Sequence, residues 1–354
     1  MGTQHTSIDP ARLDAFLGRA VGDLGAAISA TLVLAGDQLG LYKALATRAM
    51  TSAELANATD TSERYVREWL GNQSASGYVD YDADSNRYQL NAEQTACLAD
   101  PDGPVDLPGA YEIVEDAFHC LDRTLDNFRT GKGMEWGEHH PCLFHGTERF
   151  FRAGYNMHLV GEWLPALDGA LAKLQSGARV ADIGCGHGIS TAVMAKAFPN
   201  SEFIGYDYHA ASIDTARQRA KDAGVDNVRF EVADATSYGE KDFDLIAFFD
   251  CLHDMADPVG AARHACHALK PDGHCLLVEP FAGDTVASNL NPVGRVYYGA
   301  SSQICVPVSL ARNGPALGAQ AGEARLRQVM TEGGFSRFRR AAETPFNIVL
   351  EARH

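Results

Sequence analysis

Three alternate glycines follow a short apolar run in the middle of the chain, and an acid stands two residues before the first of them. The sequence predicts a buried strand over Ala178–Ile183, then the glycines, then a helix from Ile189. Glycine suits sharp turns and backbone that lies against a ligand, because it has no side chain and tolerates positive φ. The acid is Asp182, and the glycines are Gly184, Gly186 and Gly188. Ligands bind at the carboxyl ends of strands in open α/β sheets, so the stretch predicts a ligand site.

The spacing of these glycines distinguishes two classes of cofactor. A dinucleotide fingerprint has the pattern G-x-G-x-x-G, and its third glycine would fall on Ile189. The carboxylate of Asp182 would repel a phosphate, whereas it would attract an ammonium or sulfonium cation. The pattern D-x-G-x-G-x-G therefore favours S-adenosylmethionine over NAD. It resembles the first motif of the class I S-adenosylmethionine-dependent methyltransferases, which implies that fold and that cofactor.

Acids also stand at the ends of the next two predicted strands. Asp207 lies 19 residues after Gly188, where a carboxylate can accept hydrogen bonds from both ribose hydroxyls. Its alternative role is to cap the helix that begins near Ala210. The stretch around Asp234 resembles the adenine-binding motif of the family, which implies a contact to the exocyclic amino group. Acids at three successive strand ends indicate one cofactor site. Three neighbours complete the predicted site: Tyr208, Ala235 and Asp250.

A histidine follows the fourth predicted strand, where it would lie above the sheet on the cofactor side. The loop Leu252–Asp254 resembles the L-H-D motif of small-molecule O-methyltransferases, which implies that His253 is the general base. Asp254 is predicted either to orient the imidazole or to stabilise the loop, and Glu279, at the end of the fifth strand, is predicted to support the site. The alternative for His253 is a structural histidine bonded to backbone. Met255 stands where the family usually has tryptophan, which leaves the substrate class open.

The region before the cofactor domain is predicted to be helical and rich in aromatic side chains, which suits a pocket wall as well as ordinary core. The polar and aromatic insertion at 281–313 is predicted to be a substrate lid. The predicted pocket residues are Trp136, His139, His140, Tyr155, His158 and Tyr298. The segment His139–His145 holds four potential metal ligands, but Pro141 interrupts it and no second cluster completes a known spacing. No metal is therefore predicted.

The first hundred residues predict a winged helix that serves dimerisation. They include Gly25–Gly36, a stretch that is apolar nearly all round and that one domain rarely covers at its own terminus. We therefore expect a homodimer, with burial inside the monomer as the alternative. Two capped helices and a hairpin around Asp82–Asn86 complete the winged-helix outline. Winged helices often bind DNA, but these residues hold 13 Asp and Glu against 7 Lys and Arg, so a nucleic-acid partner is not expected.

The alternation of strands and helices after residue 176 predicts a mostly parallel, Rossmann-like doubly wound sheet with helices on both faces. The last two strands resemble the reversed end of the methyltransferase fold. Before the sheet, one helix over Tyr155–Leu174 is expected to kink at Pro165. Three domains are predicted: 1–100 as the winged-helix dimerisation domain, 101–176 as a helical linker and substrate cap, and 177–354 as the methyltransferase domain.

Composition bounds the location and the partners. The formal charge of −16 suits a small-molecule enzyme better than a nucleic-acid binder, and eight cysteines without C-x-x-C pairs predict reduced thiols. The longest run free of Asp, Glu, Lys and Arg, Val296–Ala311, is shorter than the roughly 20 apolar residues of a membrane helix. We expect a cytoplasmic enzyme that O-methylates a small hydroxylated or phenolic metabolite. The alternatives are a cofactor-sensing transcription regulator and an N- or C-methyltransferase that acts by proximity.

Overall fold

The structure is a computed structural model and describes residues 8–354. The chain divides into two compact units. The first comprises the described residues up to Glu115 together with His145–Ala153, and the second comprises Asp116–Phe144 and Gly154–His354. Residues of the expected middle region contribute to both units, and the proposed boundaries at 100 and 176 stay predictions.

The first unit contains five helices in its N-terminal part and a two-stranded antiparallel hairpin. The helices are α1 Pro10–Gln38, α2 Leu41–Leu45, α3 Ser52–Ala58, α4 Glu63–Ala75 and α5 Ala92–Leu98, and the strands are β1 Asp80–Asp82 and β2 Arg87–Gln89. Tyr42, Trp69 and Leu70 are buried in the core of this unit. The expected capping box forms at the start of α3, where Thr51 and Glu54 each bond the other's backbone. The winged-helix outline is therefore confirmed.

Helix α1 leaves a stripe of large apolar side chains exposed. They are between 41% and 68% exposed and recur every three or four residues: Leu13, Phe16, Leu17, Val21, Leu24 and Ile28. The helix is also long and apolar enough to cross a membrane by length and composition, the one such helix among residues 8–354. That is weak evidence, because core helices of soluble proteins and N-terminal signal sequences pass the same test. Runs free of Asp, Glu, Lys and Arg do not reveal a possible span here, because charged residues such as Asp23 and Asp37 interrupt the helix.

Three further helices connect the hairpin region to the sheet: α6 Leu107–His119, α7 Leu121–Thr130 and α8 Pro141–Gly154. Pro141, which was expected to break the backbone, is the first residue of α8, where a missing N–H costs no helical hydrogen bond. Helix α8 continues as a π-helical segment, Tyr155–Trp163. The single helix expected over Tyr155–Leu174 is therefore wrong. The chain turns after Trp163, because Pro165 cannot donate a hydrogen bond and Gly169 adopts φ +86°.

The second unit is built on a seven-stranded sheet in the order β5-β4-β3-β6-β7-β9-β8. Its strands are β3 Arg179–Ile183, β4 Glu202–Asp207, β5 Val228–Val232, β6 Phe243–Phe249, β7 Leu269–Pro280, β8 Arg337–Glu343 and β9 Asn347–Arg353. The first five strands are parallel, and β9 runs antiparallel to β7 and β8. The Rossmann-like fold class and its reversed final strand are confirmed.

Helices accompany the strands as the alternation predicts. They are α9 Ala170–Ser176, α10 Ile189–Ala197, α11 Ala210–Asp222, α12 Pro258–Ala268, α13 Pro292–Ala300, α14 Val306–Ala311 and α15 Gly322–Glu332. The predicted insertion at 281–313 is largely helical, because a π-helical segment, Ser301–Cys305, joins α13 directly to α14. The main core packs α12 and α15 against the sheet through Ala262, Leu326 and Met330.

Candidate active site

The glycine turn after β3 has one position that is open and two that are closed by packing. Gly184, Gly186 and Gly188 all adopt positive φ, at +71°, +53° and +77°. A Cβ on Gly188 would lie 2.6 Å from the ring of Phe230, and one on Gly184 would lie 2.8 Å from Sγ of Cys251. A Cβ on Gly186 would meet nothing within 4 Å. Space for a ligand therefore lies at Gly186, in the middle of the turn.

Asp182 ties this turn to the helix after it. The residue is fully buried, and its Oδ2 accepts hydrogen bonds of 2.6 Å from the hydroxyls of Ser190 and Thr191. Burial raises the pKa of the carboxyl to about 6. Among the described residues Oδ1 has no hydrogen-bond partner. One oxygen thus positions α10, and the attraction of a cofactor cation by this carboxylate stays a prediction.

The acid at the end of β4 also closes the glycine turn. Oδ2 of Asp207 accepts the N–H of Gly186 at 2.9 Å, and Oδ1 accepts the N–H of His209 at 2.8 Å. Burial raises the pKa of this carboxyl. Asp207 therefore shapes the loop that surrounds the open position at Gly186. Its predicted contact with the ribose hydroxyls of the cofactor stays a prediction.

An arginine that the sequence analysis did not single out joins two predicted cofactor residues. The guanidinium carbon of Arg312 lies 4.6 Å from the centre of the Tyr208 ring, and its Nη2 bonds Oδ2 of Asp234 at 2.9 Å. The other oxygen of Asp234 accepts two bonds from Thr236. Although burial opposes it, these bonds hold the pKa of Asp234 below its usual value. Arg312 is the first charged residue after the uncharged run 296–311, and that position is the sequence feature that marks it as a candidate for the cofactor site.

The remaining predicted cofactor residues lie beside these acids. Ala235 is partly buried against the main core. Asp250, at the end of β6, adopts φ +50°, and its Oδ1 accepts a 2.8 Å bond from the Asn347 side chain. Burial raises the pKa of Asp250 well above its ordinary value. Its other oxygen is buried without a hydrogen-bond partner among residues 8–354.

His253 is held by Glu279 in a buried pair. The histidine lies in a 3-10 turn after β6 and is 3% exposed, and Glu279 at the end of β7 is 1% exposed. Nδ1 of His253 donates to Oε2 of Glu279 at 2.5 Å, while Oε1 of Glu279 accepts the N–H of Leu252 at 3.1 Å. One carboxylate therefore fixes both the imidazole ring and the loop that carries it.

The second ring nitrogen of His253 faces a thiol. Nε2 lies 3.3 Å from Sγ of Cys305, in the π-helical segment after α13. Burial opposes a charge on the imidazole, but Glu279 and Cys305 hold the pKa of His253 well above its ordinary value. Both ring nitrogens thus have partners, and neither partner is Asp254. The expectation that Asp254 orients the ring is wrong, because Glu279 occupies that position. Burial raises the pKa of Asp254 to about 7.

The loop of His253 contacts the glycine turn directly. Sγ of Cys251 donates to the carbonyl of Ile183 at 3.1 Å. The adjacent Gly184 could not carry a Cβ without approaching the same sulfur. The histidine–glutamate pair and the open position at Gly186 therefore belong to one edge of the sheet.

The predicted pocket residues near 136–145 form a second polar group. Nδ1 of the buried His139 bonds Oδ2 of Asp116 at 2.8 Å, and Oδ1 of Asp116 accepts the N–H of His140 and the thiol of Cys120. Nε2 of His139 is buried without a hydrogen-bond partner in the described chain. Trp136 lies beside this group, with its ring 6.2 Å from that of His139. His140 itself is exposed.

Asp116, Cys120 and His139 also form the one group of potential metal ligands found among residues 8–354, with their ligating atoms within 4.8 Å of one another. The sequence analysis missed this group because Asp116 and Cys120 lie about 20 residues before His139. Hydrogen bonds among the three already satisfy Nδ1 and the carboxylate. This group shares only His139 with the segment His139–His145, in which the sequence shows four potential ligands.

Three other predicted pocket residues lie apart from this group. Tyr155 is buried and its ring lies 5.3 Å from that of Phe249, while His158 bonds Glu162 at 2.9 Å. Tyr298 is 38% exposed and lines a cavity of about 450 Å³. The contact of these three residues with a substrate stays a prediction.

Two family models match separate parts of the chain. Residues 174–327 match the family described as a methyltransferase domain, and residues 26–100 match a Rv2258c-like winged HTH domain. The chain carries a methyltransferase domain behind a winged helix. The resemblance predicted from the glycine turn, the strand-end acids and the hairpin is thereby confirmed.

Curated relatives match about a third of the chain. The chain is 34% identical over 113 residues to the uncharacterized methyltransferase YcgJ of Bacillus subtilis (strain 168), which is 31% of this chain and 44% of that protein. It is 36% identical over 135 residues to 27-O-demethylrifamycin SV methyltransferase of Amycolatopsis mediterranei (strain S699), covering 35% of this chain and 49% of that protein. The matches thus span less than half of each relative.

Solved structures share the fold over the whole chain. Human N-acetylserotonin methyltransferase, solved in complex with SAM, superposes with a TM-score of 0.69 at 16% identity and covers 100% of this chain and 99% of its own. At that identity the likeness establishes the fold of the winged helix and of the methyltransferase domain. It does not identify an acceptor.

Proposed function

We propose that this protein transfers a methyl group from S-adenosylmethionine to a hydroxyl of a small molecule, with His253 as the general base. The observation that carries the proposal is the buried pair of His253 and Glu279, 2.5 Å apart, at the edge of the sheet that holds the glycine turn. The O-methyltransferase relative and the SAM complex of the structural neighbour support the reaction and the cofactor.

The residues at the glycine turn fit S-adenosylmethionine. Gly186 leaves space where a Cβ would meet nothing, and the carboxylate of Asp207 borders that space through its bond to the Gly186 N–H. Oδ1 of Asp182 and Oδ2 of Asp250 are buried acceptors without protein partners in the described chain, and such groups favour a polar or cationic ligand. Bound there, the cofactor would supply an electrophilic methyl group on a sulfonium.

The role of the protein is to position the acceptor and to remove its proton. Glu279 fixes the ring, and Nε2, which contacts Sγ of Cys305 at 3.3 Å, exchanges that contact for the acceptor hydroxyl and accepts its proton. As the imidazolium forms, the Glu279 carboxylate stabilises its charge, as a buried carboxylate does for other catalytic histidines. Proton removal of this kind contributes about 10²- to 10⁴-fold in rate.

The test is transfer of labelled methyl from S-adenosylmethionine into the small-molecule fraction of a cell extract. His253→Gln should remove the labelled product. His274→Gln is the matched control, because His274 is another buried histidine that bonds a glutamate, Glu351, at 2.6 Å. Product that persists with His253→Gln would favour N- or C-methylation by proximity. Cofactor binding without any labelled product would favour a regulator.

A regulator would need basic residues directed at DNA phosphates. On helix α4, Arg64 bonds Glu68 at 2.5 Å and Arg67 bonds Glu63 at 2.7 Å. In the hairpin, Arg87 bonds Glu54 at 2.7 Å. These arginines are neutralised by their neighbours, so we propose that the winged helix serves assembly, as part of a cytoplasmic enzyme.

We propose that the exposed stripe of α1 packs against a second copy of the chain. The stripe occupies one side of the helix, which suits packing against another helix. Leu24→Glu, in the stripe at 62% exposure, should convert a dimer to a monomer in analytical ultracentrifugation. Ala15→Glu adds the same charge at an exposed position about 200° around the helix from Leu13 and Leu17, and should leave the dimer intact. A monomeric wild type would contradict this proposal.

A further inference from the structure

Methyl transfer with His253 as base leaves one buried group at the site without a role, the thiol of Cys305. The residue ends the π-helical segment Ser301–Cys305 and is 8% exposed. Its Sγ lies 3.3 Å from Nε2 of His253, the ring nitrogen opposite the one that bonds Glu279. Thiol, imidazole and carboxylate therefore form a continuous chain.

This chain differs from the other contacts between cysteine and histidine in the described residues. Cys142 contacts Nδ1 of the exposed His140, and Cys120 lies 3.9 Å from Nδ1 of His139, the same nitrogen that bonds Asp116. Cys266 lies 3.6 Å from Nδ1 of His354. In none of these three pairs does a carboxylate bond the nitrogen opposite the sulfur. Only at Cys305, among residues 8–354, does a carboxylate hold the far side of the ring, the order in which a base activates a nucleophile.

We propose that Cys305 is a nucleophilic thiol activated by His253 and Glu279, and a site of covalent modification by small soft electrophiles such as thiosulfonates and alkyl halides. With methyl methanethiosulfonate, the thiol proton moves to Nε2 of His253 and Sγ attacks the sulfenyl sulfur. An S–S bond forms to the methylthio group, the S–S bond of the reagent breaks, and methanesulfinate leaves. No further oxidant or reductant takes part.

Two features of the surroundings favour this reaction. The carboxylate of Glu279, 2.5 Å from Nδ1 of His253, stabilises the imidazolium that forms when Nε2 takes the proton of the thiol. The cavity of about 450 Å³ is lined by Ser301, Ser302 and Val306, which belong to the helical stretch that carries Cys305. Gly318 also lines it and donates its N–H to the carbonyl of His253. The cavity therefore borders the helical stretch that carries the thiol and the segment that bonds the histidine loop.

The experiment treats the full-length protein briefly with methyl methanethiosulfonate near neutral pH and maps the rate of modification at each cysteine by mass spectrometry. Cys305 should react at least about tenfold faster than Cys275, since an ordinary thiol is only a few per cent ionised at pH 7. Cys275 is fully buried and reports opening of the fold. Equal rates at the two cysteines would overturn the proposal.

Variants separate activation from exposure. His253→Gln and Glu279→Gln should each slow the reaction of Cys305 by about tenfold or more, because the base or its orienting group is lost. Cys142, whose partner is His140, should keep its rate and serves as the internal control. Faster reaction at Cys275 would identify a variant that does not fold. The rate at Cys305 is then read from the other variant. An unchanged rate at Cys305 in a folded variant would refute activation by this pair.

The labelling rates decide this proposal whether or not methyl transfer is found, because the inference rests on the contact of Cys305 with His253 and not on the proposed function.

Discussion

Strand β7 carries a member of a buried histidine–glutamate pair at each of two places, and the two pairs lie in different surroundings. In the interior of the sheet, His274 bonds Glu351 of β9 at 2.6 Å, and Glu351 also accepts a 2.7 Å bond from Arg339 of β8. At the carboxyl end of β7, Glu279 bonds His253 of the loop after β6. All four residues of the two pairs are at most 5% exposed by side chain.

The proposed function distinguishes the two pairs by their position in the sheet, since their residue types are the same. Glu351 is shared between the imidazole of His274 and the guanidinium of Arg339 on neighbouring strands, so both of its oxygens are bonded within the sheet. Glu279 bonds one imidazole and one backbone N–H, and the imidazole faces a thiol beyond it. The same chemistry therefore stabilises the sheet at one place and is directed at a ligand site at the other.

The largest expected difference between the pairs is in turnover. Glu279→Gln should lower kcat by about 10²-fold or more, because His253 loses the group that orients it and stabilises its charge. Glu351→Gln should leave kcat nearly unchanged and instead lower the free energy of unfolding by about 1 to 3 kcal/mol, through the loss of buried charged bonds. Initial rates and thermal unfolding of both variants measure this. Similar losses of kcat in the two would remove the distinction.

The second difference is in the pH dependence of methyl transfer. The charged or titratable groups around His253 are Glu279 and Cys305, with Asp250 and Asp254 on its own loop. Although burial opposes a charge on the imidazole, Glu279 and Cys305 hold the pKa of His253 above the ordinary value of about 6.5. The imidazole therefore keeps its proton to higher pH, and kcat should rise with pH through a midpoint above that value. Glu279→Gln should move the midpoint to lower pH.

The control for this pH shift is Glu351→Gln, which should leave the midpoint of the kcat profile where it is in the wild type. A midpoint that does not move in Glu279→Gln would mean that the carboxylate does not set the protonation of His253.

The smallest expected difference is in cofactor affinity and concerns two arginines, Arg312 beside the predicted cofactor residues and Arg339 beside the structural pair. Arg312→Gln should weaken S-adenosylmethionine binding by about 5- to 10-fold, because Asp234 and Tyr208 lose the cation that holds them together. Arg339→Gln removes a cation from Glu351 and should leave cofactor affinity unchanged. Isothermal titration calorimetry distinguishes the two. Equal affinities in both variants would show that Arg312 does not organise the cofactor site.

The sequence predicted the sheet well because its signals are local. The bounds of β4 and β6 agree with the expected strands, since each is a compact, mainly apolar run with an acid at its carboxyl end: Asp207 is the last residue of β4, and Asp250 directly follows β6. The glycine turn was recognised for the same reason. The helix over Tyr155–Leu174 was wrong because apolar periodicity continued across Pro165 and Gly169, while the backbone of those two residues did not permit a helix.

The sequence predicted the acids and the histidine of the candidate site, but not which of these side chains bond each other. Asp254, adjacent to His253, was considered for a role that Glu279 fills from 26 residues away. Cys305 and Arg312 come from the insertion at 281–313, whose composition indicates a lid without indicating which side chains reach the strand ends. Such contacts depend on how an insertion folds back on the sheet, and spacing along the chain does not encode that.

The π-helical segment Ser301–Cys305 gives the thiol contact a particular evolutionary fragility. A π-helical turn commonly corresponds to one residue added to an α-helix. Deleting a single residue there would restore the ordinary pitch and rotate the two flanking helices by about 100° relative to each other. A one-codon deletion or insertion could therefore uncouple Cys305 from His253, or recreate that contact, while leaving the glycine turn, the strand-end acids and Glu279 in place.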